Sequence, residues 1–237
     1  MLHSLPCAFI PLHGPLEITA DSFPLPGAFA VVLPITRRLG LAQAIDLICP
    51  VGGLAKLSHS QIVEFLVLQI LHSQRRTPLY KLDEWARRNH IEQLYGQAPE
   101  RFNDDRIART LDAIAGHISE IETTVVSVAI QQFGIDISQV HWDLTNITFA
   151  PARDGSELVR RGYGNGRLHD RQIQVGLNIT ADGGVPLRHE TLPGSTNQTP
   201  LGPAMLADLQ RRLQRIVDTM PQRRQDMSLR RPPETLI

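Results

Sequence analysis

The hydrophobic period of this 237-residue chain changes at Gly134, and that change does most to limit what it can fold into. Before Gly134, apolar residues recur at spacings of three and four, the signature of one buried helix face. After it, short runs bounded by Gly, Asp and Pro carry the residue types and lengths of strands. Residues 28–134 are therefore expected to form an all-helical domain, with a small sheet following. Residues 1–27 are rich in Pro and Gly, lack a sustained period and read as a loose arm.

Within the helical part, Phe29, Val32, Ile35 and Leu39 share one face, with Gly40 as the stop and Pro34 as an interruption. Leu41 to Ile48 predicts a second, short helix. Ser58-His59-Ser60-Gln61 has capping-box spacing ahead of the apolar run 62–71, which reads as a central helix apolar nearly all round. Pro78 suits the first turn of the next helix, where Tyr80 and Trp85 read as core residues. Asn103 is a good N-cap for a helix carrying Ile107, Leu111 and Ile114, and Asp104-Asp105 suits that helix's positive end. Ile118, Ile121, Val125, Val128 and Phe133 mark a last helix, ending before Gly134.

Beyond Gly134, Val140–Phe149, Gln172–Thr180 and Val185–Leu192 read as strands, the last two joined by an Ala181-Asp182-Gly183-Gly184 turn. Residues 150–171 are a polar, Gly/Arg-containing loop. Pro200–Asp218 suggests an amphipathic helix through Met205, Leu206, Leu209, Leu213 and Ile216, and the Arg/Pro/Gln-rich residues from Pro221 onward read as a disordered tail. The first strand places Asp143 among residues that otherwise read as buried. Asp is depleted from strands, and a buried carboxylate needs a partner, either a neighbouring Arg or a bound cation.

Charge is informative through its distribution. The net charge is zero, with 24 basic and 24 acidic residues, so the chain is not a globally basic nucleic-acid binder. Residues 1–149 carry 11 Lys/Arg against 15 Asp/Glu, and residues 150–237 carry 13 against 9. Attraction to phosphate is thus expected in the second part, with Arg160, Arg161, Arg167 and Arg171 as the candidates; a solvated, scattered loop is the alternative. All basic residues but Lys56 and Lys81 are Arg, a skew better explained by GC-rich coding than by phosphate binding. His141, His169 and His189 read as hydrogen-bonded or exposed rather than as ligands. Cys7 and Cys49 stand apart and support neither a disulfide framework nor a zinc site. No apolar run is long enough to span a bilayer and the N-terminus does not read as a signal peptide, so a cytoplasmic location is expected.

Several segments together carry a resemblance. They are Asp143-Leu144-Thr145, the loop Gly162-Tyr163-Gly164-Asn165-Gly166-Arg167-Leu168-His169-Asp170-Arg171-Gln172, the hairpin from Val175-Gly176-Leu177 to Val185-Pro186-Leu187, and Pro193-Gly194-Ser195-Thr196-Asn197. Upstream lie Thr77-Pro78-Leu79-Tyr80 and Phe102-Asn103-Asp104-Asp105-Arg106. In order and spacing this resembles bacterial insertion-sequence transposases of the DDE class, over residues 28–205. The resemblance implies a mixed α+β and α/β chain: a helical N-terminal domain, then the first half of an RNase H-like core over residues 135–218, with three strands and a helix.

It further implies DNA transposition by metal-dependent strand cleavage and transfer. Two Mg²⁺ or Mn²⁺ ions, about 3.5–4 Å apart, would activate the nucleophile and stabilise the leaving oxygen. Hard carboxylate oxygens suit such ions, and Asp143 corresponds to the first of three acidic ligands, hence to a catalytic and metal-binding residue. The implied partners are the terminal inverted repeats of an element, a second copy, or a full-length transposase. The chain departs from the family pattern after the helix starting near 200. Asp218 comes too early to be the second acid, and residues 219–237 read as an aberrant or disordered tail. The expectation is a truncated transposase, inactive alone; the alternative is a non-catalytic DNA-binding or dimerising regulator.

Overall fold

A reciprocal pair of hydrogen bonds opens the central helix of the N-terminal half. The Gln61 backbone N–H donates to Ser58 Oγ at 3.2 Å and the Ser58 N–H to Gln61 Oε1 at 2.9 Å, which satisfies two donors at the end of helix α3 (His59–His72). The computed structural model describes residues 27–53, 55–72, 77–149, 156–162, 171–196, 207–212 and 214. The chain divides into two units, Met1–Ile121 and Glu122–Ile237.

In the first unit, α3 turns Ile62, Phe65 and Leu68 into the core at helical spacing, all three fully buried. They meet Phe29 and Leu33 of α1 (Gly27–Arg38), and Leu82, Trp85 and Ala86 of α4 (Leu82–Arg88). Leu57 ahead of α3, Ile91 of α5 (Ile91–Tyr95), Phe102 just before α6 (Asp104–Ala115) and Ile107 within α6 complete the cluster. Phe65 is its aromatic hub, with ring centroids 4.7 Å from Phe102 and 5.4 Å from Trp85. The buried Glu64 carboxylate accepts from the Tyr95 hydroxyl at 2.9 Å and from Thr36 Oγ1 at 3.3 Å, so it is compensated by hydrogen bonds. Burial, and then Glu64, push the Tyr95 phenol far above its ordinary pKa. Helix α2 (Leu41–Ile48) follows Gly40, whose φ of 67° stops α1.

Four expectations for this unit change. Ile35 of α1 is exposed, and Leu33 and Thr36 turn inward with Phe29 instead. Ile70 and Leu71 are exposed, so α3 is apolar all round in sequence but buried only along one stripe. Tyr80 sits on a short turn, Leu79–Lys81, that lifts its ring into solvent at 67% exposure. Leu111 is exposed, leaving Ile107 and Ile114 as the inward residues of α6.

Helix α7 (Ile118–Phe133) stops at Gly134, φ 62°. The second unit then builds an antiparallel sheet of β1 (Val140–Phe149), β2 (Arg160–Arg161), β3 (Arg171–Thr180) and β4 (Pro186–Pro193). β3 is central. It pairs with β1 along its whole length on one side and with β4, continued by β2, on the other. The β3–β4 hairpin closes through Gly183 and Gly184 at φ 73° and 60°, conformations that a side chain would strain. Ile130, Ile137, Leu187 and Leu209 form its apolar cluster, with Val126, Ile135 and Val140 against it; Leu209 belongs to the helical residues 207–212. The fold is thus mixed, helices followed by a four-stranded antiparallel sheet. The rest of the helix expected over 200–218, the acid Asp218 and the tail 219–237 lie outside the described residues. No single described helix is long and apolar enough to cross a membrane.

Candidate functional site

The two strand neighbours of β3 decide where the candidate residues stand. Pairing of Asp143 with Leu177, and of Leu177 with His189, sets these three in one row across the sheet. Period-2 alternation turns Asp143 away from its neighbours Trp142 and Leu144. It is exposed, and its Oδ1 accepts the Leu144 N–H at 2.8 Å. The expectation of a buried strand carboxylate is therefore corrected: solvent and one backbone donor satisfy it.

His189 lies two strands away, roughly 10 Å at ordinary strand spacing, and is engaged elsewhere. Glu122 Oε1 accepts its backbone N–H at 2.8 Å and lies 2.7 Å from its Nδ1. The hydrogen bond to Glu122 raises the imidazole pKa, and the Glu122 charge adds to this, against burial and the nearby Arg188. Arg188 lies 3.8 Å from Glu122 and 3.5 Å from Asp208; Asp208 in turn pairs with Arg212 at 2.8 Å and Arg211 at 3.4 Å. Burial works against the Asp208 charge, but Arg212, Arg188 and Arg211 overcome it and hold the carboxyl below its usual range.

Among the described residues, no three His, Cys, Asp or Glu side chains converge as a metal site would require. Asp143 alone does not fit a two-ion centre, so no chemical step can be derived through a metal from these residues.

The arginines gather at the far end of the sheet. Arg161 pairs directly opposite Arg171, and Arg171 opposite Phe149, which is 42% exposed. Arg160 is exposed beside them, its Nε donating to the Glu157 carbonyl at 3.0 Å. Two like charges on neighbouring strands concentrate positive charge at this end of the sheet. Arg167 lies outside the described residues. Asp143 is six residues back along β1 from Phe149, roughly 20 Å at strand rise, so acid and arginines do not form one site.

Sequence reasoning missed a junction that lies beside these arginines. Gly162 and Gln172, the two ends of one motif segment, meet Gly194 of another at one point. Gln172 Nε2 donates to the Gly194 carbonyl at 2.9 Å, and the Gly194 N–H donates to the Leu158 carbonyl at 3.0 Å. A Cβ at Gly162 would collide with the Gly194 carbonyl, and one at Gly194 with the backbone of Gln172 and Arg160. These glycines are demanded by close backbone approach, for which the signal was the motif spacing itself.

The fold and site define a mixed helical and antiparallel-sheet protein with a strand-borne carboxylate and a basic sheet end. Residues 27–128 match a family model described as a domain of unknown function, DUF4277. No curated protein and no solved structure matches the chain.

Proposed function

We propose that this chain is of DDE-transposase lineage and acts on DNA. The observation that carries the reading is the meeting of Gly162, Gln172 and Gly194 where β2 and β4 abut β3. Motif pieces more than twenty residues apart, assembled around one backbone contact, are what a shared core would require. The β1–β3–β4 antiparallel order behind a helical domain, with Asp143 in mid-β1, supports it further. The lineage chemistry is metal-dependent strand cleavage and transfer.

Since Asp143 belongs to no group of three metal-ligating side chains among the described residues, the same observations favour a second reading, a non-catalytic DNA-binding or dimerising regulator. Selection of duplexes from a randomised pool at about 50 mM salt, where phosphate contacts are strong, followed by Mn²⁺ nicking assays, separates the two. Nicking that Asp143→Asn abolishes supports catalysis; binding without nicking supports the DNA-binding regulator; no selected duplex overturns both of these.

A further inference from the structure

A cavity of about 310 Å³ in the first unit is lined by four cations, Lys56, Arg101, Arg106 and Arg109, against the single carboxylate Asp105. The first unit is close to neutral, with 11 Lys/Arg against 12 Asp/Glu, so this local concentration of cations stands out from its background. Arg106 is pinned, its guanidinium donating to the Leu57 carbonyl. Arg109 pairs with Asp105 at 2.6 Å, which removes the one negative lining group from play. Lys56 and Arg101 are exposed and have no partner among the described residues. Glu100, beside Arg101 in the chain, turns instead to Arg87 at 2.5 Å.

The α6 N-terminus is not the source of attraction here. Asn103 Oδ1 accepts the Arg106 N–H at 2.9 Å and Asp104 Oδ1 the Asp105 N–H at 3.0 Å, so these backbone donors are already used. The positive field reaches the buried His59, whose imidazole is held below its ordinary pKa by burial first and by Arg106 second. A surface built only for solubility intersperses its signs. Here unpaired cations converge on a concavity, and guanidinium forks match the tetrahedral oxygens of phosphate better than a point charge does.

We propose that this cavity binds a phosphate group, presented by a DNA backbone under the reading above or free in solution. The DNA source rests on that reading; the phosphate chemistry does not.

The test uses the full chain, with Lys56→Gln/Arg101→Gln as the variant and Arg88→Gln, exposed elsewhere on the first unit, as the charge control. Fluorescence anisotropy on a short duplex is followed against salt, and inorganic phosphate is titrated by ³¹P line broadening. The double variant should bind duplex roughly tenfold more weakly and lose about two units of salt slope, one per cation, while Arg88→Gln follows the wild type. Phosphate broadening lost only in the double variant, with flat duplex titrations for every protein, supports the site, assigns it free phosphate and overturns the DNA reading. Duplex and phosphate binding unchanged in the double variant, or neither bound by the wild type, overturns the site.

Discussion

His189 shows how one contact sets a pH response. Its ring and backbone N–H share Glu122 Oε1 at 2.7 and 2.8 Å, and Glu122 is only 17% exposed while His189 is 44% exposed. The imidazolium gains from that hydrogen bond and charge more than it loses to burial and Arg188, so the folded pKa is raised. A raised folded value means the contact stabilises fully below the unfolded pKa and fades as pH rises through the folded one. The His189 ring, followed by NMR, should therefore titrate above about 6.5, the ordinary histidine value, and Glu122→Gln should bring it back down. Titration at or below the ordinary value in the wild type would contradict the contact. At this scale the sequence was a partial guide. His189 read as hydrogen-bonded or exposed, and it is both, but nothing in the spacing named Glu122, 67 residues away. Asp143 read as buried because its chain neighbours are apolar, yet in a strand those neighbours belong to the opposite face.

Elements whose cause is local were legible. The capping box of α3, the Asn103 cap of α6 and the Gly134 stop of α7 each rest on residues within a few positions of one another. The two-residue strand β2 was not, because it exists only through its pairing with Arg171 and Gln172. Its meeting with β4 depends on backbone crowding at Gly162 and Gly194 that no periodicity encodes. Gly194→Ala places a methyl against the Gln172 and Arg160 carbonyls, backbone that cannot swing aside as a side chain would. The substitution should cost at least about 1–3 kcal/mol, the usual range for overpacking, and loosen the β2–β4 edge. Urea denaturation measures the first and amide protection of Gly194, bonded to Leu158, the second. A variant as stable as the wild type would remove the structural reason for that glycine.

At the scale of the molecule, the two units differ in how they are held. Among the described residues, the first joins twelve buried residues in one apolar cluster around Phe65 and the second joins four. Across its sheet, the buried face carries Gln172, Gln174, Asn178 and Thr180, while Ile147, Phe149 and Leu177 remain 38–43% exposed. On that buried face Trp142 Nε1, Asn146 Oδ1, Gln174 Oε1 and both amide atoms of Asn178 have no hydrogen-bond partner among the described residues. The change of period at Gly134 foretold helices followed by a sheet, but alternation alone is symmetric between two faces and does not say which one a helix will cover. Each unsatisfied buried group costs about 1–3 kcal/mol, and two of them already amount to about a hundredfold in an opening equilibrium. Local opening should therefore be easier in the sheet than in the helical core. Native-state hydrogen exchange of the whole chain should find the β3 amides of Gln174–Asn178 exchanging at least about a hundredfold faster than those of Phe65–Leu68 in α3. Equal protection in the two segments would mean that the orphaned amides of the sheet find partners in solution, and that its polar face is as well satisfied as the aromatic core is packed.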